Sequence, residues 1–160
     1  MRILLGLLSF VICGTVALSG EQAAKQPFTI TISTEKPVVK VNSDVSIKVH
    51  VTNTSNHELN TSANISSLTG VDPNNLYDVR DSMGNPVQRR VYKHSELATG
   101  SAIFGSVKPG ESITIVDDIN RLFDMSKPGK YLVQVSRRRI PDNEKGGVVK
   151  SNKLVVTMIP

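Results

Sequence analysis

The stretch Lys127-Pro128-Gly129-Lys130-Tyr131-Leu132-Val133-Gln134-Val135 governs the reading of the fold. Proline presets φ for a turn and glycine tolerates positive φ, so the Pro-Gly pair marks a sharp change of direction. Tyrosine follows two residues later, and the chain then alternates between apolar and polar side chains. That order is expected of a tyrosine corner, in which the phenol leaves the sheet and bonds backbone a few residues upstream, fixing the crossing between two sheets. Pro128, Gly129 and Tyr131 are therefore expected structural residues. The competing expectation is an ordinary buried tyrosine that makes no such bond.

Working outward, the same period-two alternation recurs. Phe28, Ile30 and Ile32 alternate with Thr29, Thr31 and Ser33, and Val45, Ile47, Val49 and Val51 alternate with Ser46, Lys48, His50 and Thr52. Successive strand side chains face opposite ways, so each run has one face for a core and one for water. The β-branched composition favours a pleated surface over a helix. Val38 to Val41 is expected as a short edge strand protected by Pro37 and Lys40. Leu59 to Leu68 alternates only weakly. Leu76 to Arg80 is expected to enter a hairpin at Asp81 to Pro86, with Val87 to Tyr92 returning. Lys93 to Thr99 reads as a loop or one helical turn, Lys108-Pro109-Gly110 as a turn before Glu111 to Val116, and Asp118 to Met125 as room for one short helix. A loop from Arg139 to Gly147 precedes a last strand, Val148 to Ile159. Seven to nine short strands at this turn spacing predict an all-β, antiparallel sandwich over residues 27–160.

Roughly the last 120 residues resemble an immunoglobulin-like or fibronectin-III-like β-sandwich domain of bacterial secreted proteins. The resemblance is carried by Val51-Thr52-Asn53-Thr54, by Val107-Lys108-Pro109-Gly110-Glu111-Ser112, and by the Pro-Gly-x-Tyr segment quoted above. It implies a fold, and it extends to small β-domains flanking secreted metalloproteases and to bacterial proteinase-inhibitor-like domains. The Cys…Trp…Cys pattern of antibody domains is absent, since the chain has one cysteine and no tryptophan.

Residues 1–20 read as a secretory signal peptide. Met1-Arg2 is a positive start, Ile3 to Leu18 is apolar, and Ala17-Leu18-Ser19 offers small residues for cleavage. The alternative is a membrane anchor, but 16 residues from Ile3 to Leu18 fall short of the roughly 20 that span a bilayer. Cys13 lies inside this stretch, after Ile12 rather than a small residue, which disfavours a lipid anchor. Residues 21–26 form a polar tether. The exported remainder, secreted or periplasmic, then has no cysteine, hence no disulfide, no thiol nucleophile and no Cys-ligated zinc. No membrane span is expected after cleavage.

Chemistry is thinly signalled. There is no His-Glu-x-x-His, no Asp-x-Asp-x-Asp-Gly loop, no Gly-x-Ser-x-Gly elbow and no phosphate loop. His50, His57 and His94 are scattered, and Asp117, Asp118 and Asp124 are expected as solvated turn carboxylates. No cofactor, metal or catalytic residue is expected. Three Asn-x-Ser/Thr sequons begin at Asn53, Asn60 and Asn64 and suggest an exposed polar segment.

The basic residues are more suggestive. Lys+Arg number 19 against 14 Asp+Glu, a net charge of +5. Arg89, Arg90, Arg137, Arg138, Arg139, Lys145 and Lys150 are expected to gather at one end of a sheet. Such a patch suits an acidic protein face, an anionic surface or a polysaccharide. Nucleic acid is disfavoured, because no aromatics interleave the cations for base stacking. The bland alternative is a solvated edge whose charges block aggregation. The leading expectation is an exported, non-catalytic, Ig-like binding or accessory module, recognising its partner through Met83 to Arg90 and Arg137 to Gly147. The second is an inhibitor or chaperone-like partner of a secreted enzyme; a small hydrolase is the third.

Overall fold

The computed structural model describes residues 26–64, 75–91, 102–138 and 148–160. The leader, the tether before Gln26, residues 93–99 and the loop 139–147 lie outside them. Among the described residues the protein is all-β: β1 (Phe28–Ser33), β2 (Val38–Lys40), β3 (Ser46–Asn53), β4 (Leu59–Asn64), β5 (Leu76–Arg80), β6 (Ala102–Val107), β7 (Ser112–Asp118), β8 (Gly129–Arg138) and β9 (Val148–Ile159). The only helical element among them is a 3-10 turn, Ile119–Arg121, where the sequence left room for a short helix.

Three strands form one sheet in the order β1-β3-β7, and four form another in the order β2-β9-β8-β5. β2 runs parallel to β9; the other pairings in these two sheets are antiparallel. β4 and β6 pair in a separate ribbon. The two larger sheets enclose one core, in which Ile30, Ile47 and Val49 of the first meet Val133, Val135 and Val156 of the second. Each such side chain withdrawn from water contributes about 1.5–3 kcal/mol, and strict alternation puts these residues inside and Thr29, Thr31, Lys48 and Lys130 outside.

β9 changes phase partway. Val149 and Ser151 are buried, and then Val156 and Met158. The cause is a bulge: Gln134 pairs with Lys153 but Ser136 pairs with Lys150, so β9 carries one extra residue. An extra residue reverses which side faces the core. The ladder bond lost at Val135 is replaced by the Ser151 hydroxyl, which accepts from the Val135 N–H at 2.9 Å.

The returning strand expected at Val87 to Tyr92 does not form among the described residues. Pro86 makes an isolated bridge to Arg80, and Arg89 one to Phe123. Proline offers no N–H to extend the ladder. Val87 N–H still donates to Val79 O at 2.9 Å, and beyond it the chain leaves β5, Arg90 N–H donating to Leu122 O at 2.7 Å.

Candidate functional site

The Tyr131 hydroxyl donates to the Lys127 carbonyl, four residues upstream, at 2.8 Å. Gly129 has φ of 150°, which a side chain would resist. Burial above all, and then the negative charge of Asp124, raises the Tyr131 pKa above its ordinary value.

A polar cluster spans the two sheets. Asp117 on β7 is fully buried, Asn75 is 3% exposed and Arg137 on β8 is 3% exposed. Asn75 Nδ2 donates to Asp117 Oδ2 at 2.6 Å, and the Tyr77 hydroxyl donates to the same oxygen at 2.7 Å. Arg137 Nη1 donates to Asn75 Oδ1 at 2.9 Å. Two expectations are corrected here. Asp117 is an interior acceptor rather than a solvated turn carboxylate, and Arg137 serves the interior rather than an outward patch. β8 alternation puts Arg137 on the same face as Val133 and Val135, so the burial was legible in the period-two pattern.

The remaining cations are dispersed. Arg90 lies beside Asp124 (Nη2 to Oδ1, 3.9 Å), in the connection that leads into β8, and Arg89 is exposed next to it. Lys150 is exposed on β9, opposite Ser136 near the far end of β8. From Tyr131 to Arg137 an extended strand runs about 20 Å. The described members therefore divide between the two ends of β8. Arg138 ends β8, paired with Val148; Arg139 and Lys145 lie outside the described residues.

A second feature is the hairpin tip Asp81–Asn85. Gly84 N–H donates to Asp81 O at 3.0 Å and Asp81 N–H to Asn85 O at 2.9 Å, with Gly84 at φ of 83°. This is a tight turn closed by a left-handed glycine. The Asp81 carboxylate accepts from the N–H groups of Asn85 and Met83, both at 2.9 Å. Those bonds, that of the Asn85 backbone most, hold its carboxyl below the usual range. Arg80 reaches across to Gly84 O at 3.1 Å and to Asp78. On this stiffened loop Met83 is 81% exposed.

An open cleft of about 420 Å³ lies between the β1–β2 connection and the outer face of β3 and β7, lined by Thr34, Glu35, Asp44, Ser46, Lys48 and Val116 among others. Part of its charge is paired. Lys48 bonds Glu35, which holds that carboxyl below its ordinary range, and Ser46 Oγ donates to Asp118 at 2.6 Å. His50 meets Thr114 at 2.8 Å on the polar face of β3. Among the described residues no three His, Cys, Asp or Glu side chains are grouped to hold a metal ion, and no helix is long and apolar enough to cross a membrane.

Asn53, the first sequon residue, is 1% exposed. Its amide donates to His57 O and Val107 O, both at 2.8 Å, and accepts from Ser55. The sequon reading missed this; the signal was the phase of β3, which places Asn53 on the same face as Val49 and Val51.

No family model and no curated protein matches the chain. Among solved structures, a β-glucosidase from Erythrobacter marinus is similar over 82% of this chain and 15% of that chain, at 14% identity and a TM-score of 0.41.

Proposed function

We propose that the protein is an exported, non-catalytic, immunoglobulin-like module that binds a protein partner through its Asp81–Asn85 hairpin. The Ig-like assignment is supported by strand order. Ig sandwiches place A, B, E and D in one sheet and C, F and G in the other, with a tyrosine corner at the start of F. Here β1, β3 and β7 take the places of A, B and E, β5, β8 and β9 those of C, F and G, and Tyr131 opens β8. Export is supported by the apolar run Ile3 to Leu18 and the small residues after it.

The observation that carries the binding role is Met83, an 81% exposed apolar side chain on a loop whose backbone is tied down by Asp81. A turn already held rigid loses little backbone entropy on docking. The non-catalytic reading is supported by how the interior polar groups are spent, on one another. A second reading, inhibition of a secreted endopeptidase, draws on the same hairpin, since a stiff apolar tip suits a specificity pocket.

The test is capture from the exported fraction of the source cells, comparing the wild type with Met83→Ser. Loss of the captured partner in the variant is the expected result. A captured endopeptidase that loses activity moves the assignment to the second reading. Identical capture by both proteins removes the hairpin from recognition.

A further inference from the structure

Of the four outer strands of the two larger sheets, three are shielded. On β1, the Asn152 side chain occupies both main-chain groups of Ile32, accepting from its N–H at 2.8 Å and donating to its carbonyl at 3.1 Å. β2 is three residues long, with Pro37 before it and Lys40 at its end. β5 is crossed by the chain after the hairpin, Val87 N–H donating to Val79 O at 2.9 Å. β7 has no comparable cover among the described residues. It contains no proline, no lysine and no bulge, three of the devices that protect an edge, and its inward charge, Asp117, is already held by Asn75 and Tyr77.

The bonding phase of that edge follows from its ends. Asn53 N–H donates to Glu111 O at one end of the β3–β7 pairing, and Ile119 N–H to Val45 O at the other. Bonded pairs in an antiparallel ladder recur at every second residue. Ile113, Ile115 and Asp117 therefore turn their main-chain groups to β3, while Ser112, Thr114, Val116 and Asp118 turn theirs outward.

We propose that a second copy of the chain pairs at this edge, β7 against β7, antiparallel, about a two-fold axis at Ile115. The strand is self-complementary in this register. Thr114 falls opposite Val116 of the second copy and Ser112 opposite its Asp118, so outward-bonding residues meet outward-bonding residues. Asp117 falls opposite Ile113, and no two carboxylates face each other. Asp118 is already engaged by the Ser46 hydroxyl and by Arg121 at 3.6 Å. A slip of one residue sets bonding against non-bonding positions. The product is a continuous six-stranded sheet, and it covers Val116, 49% exposed, and the half-buried Ile113.

Sedimentation equilibrium over a concentration series tests this. The wild type is expected to pass from monomer to dimer mass. Val116→Pro removes an outward N–H without removing a bond to β3, and Thr114→Lys places a cation on the pairing edge; each is expected to raise the dimer dissociation constant by roughly tenfold or more. Thr31→Lys, on β1, is expected to dimerise like the wild type. Melting curves identify a variant that fails to fold, and either folded variant then decides the matter. A wild type that stays monomeric throughout, or a folded edge variant that dimerises as the wild type does, overturns the proposal.

Discussion

At the scale of single residues, Asp117 and Tyr131 hold the sheets together by opposite means. Asp117 is a carboxylate withdrawn from water and kept there by the Asn75 and Tyr77 donors. Asp117→Ala leaves those donors without their acceptor, and a loss of about 3 kcal/mol is expected from denaturant unfolding. Asp124→Ala, at an exposed turn, is expected to leave the unfolding midpoint close to wild type. Tyr131→Phe loses one hydrogen bond, to Lys127 O, and is expected to cost about 1 kcal/mol. Its pH dependence has a definite sign. The folded-state pKa of Tyr131 is raised, so its contribution is fully present below the unfolded tyrosine value of about 10 and is lost as pH climbs through the folded value. The stability gap between wild type and Tyr131→Phe is therefore expected to narrow above that pH in unfolding measured across an alkaline series. The corner residues were legible because Pro-Gly-x-Tyr before an alternating strand has few other uses. Of the interior cluster only the inward phase of Arg137 was legible, because Asn75 and Asp117 precede and follow apolar runs as turn residues commonly do, and only the sheet-to-sheet packing brings them together.

Elements were legible in proportion to their alternation. β1 and β3 repeat apolar residues at every second position, and their inward faces are the ones expected. Val87 to Tyr92 looked similar but follows a proline and carries Arg89-Arg90; of its described part only Val87 bonds β5, and from Gln88 to Arg90 the chain follows Leu122 to Asp124. The phase change in β9 is carried by Ser151 and Asn152, small polar residues whose roles depend on partners 16 and 120 residues away. Asn152→Ala is expected to speed hydrogen exchange at the Ile32 amide, read by NMR, while the amides of β8 keep their protection. Equal exchange at Ile32 in both proteins would show that Asn152 does not guard the β1 edge.

At the scale of the whole molecule, two sheets close on an aliphatic interior in which the buried aromatic side chains are Phe28, Phe123 and Tyr131 among the described residues. Branched aliphatic side chains at strict alternation fill that space, and the paired polar groups of Asn53 and of the Asp117 cluster are lodged within it. The binding surface was less legible than the scaffold. Strand alternation turns Arg137 inward with Val133 and Val135, so it leaves the surface that its charge suggested. The most direct test of the two sheets is solution NMR of backbone contacts across strands. Antiparallel contacts joining Ile30 to Val51 and Leu132 to Val155, together with parallel contacts joining Val39 to Met158, are the expected pattern. An antiparallel pairing of Val38–Lys40 with Thr157–Ile159, or helical contacts in place of these strands, would contradict it.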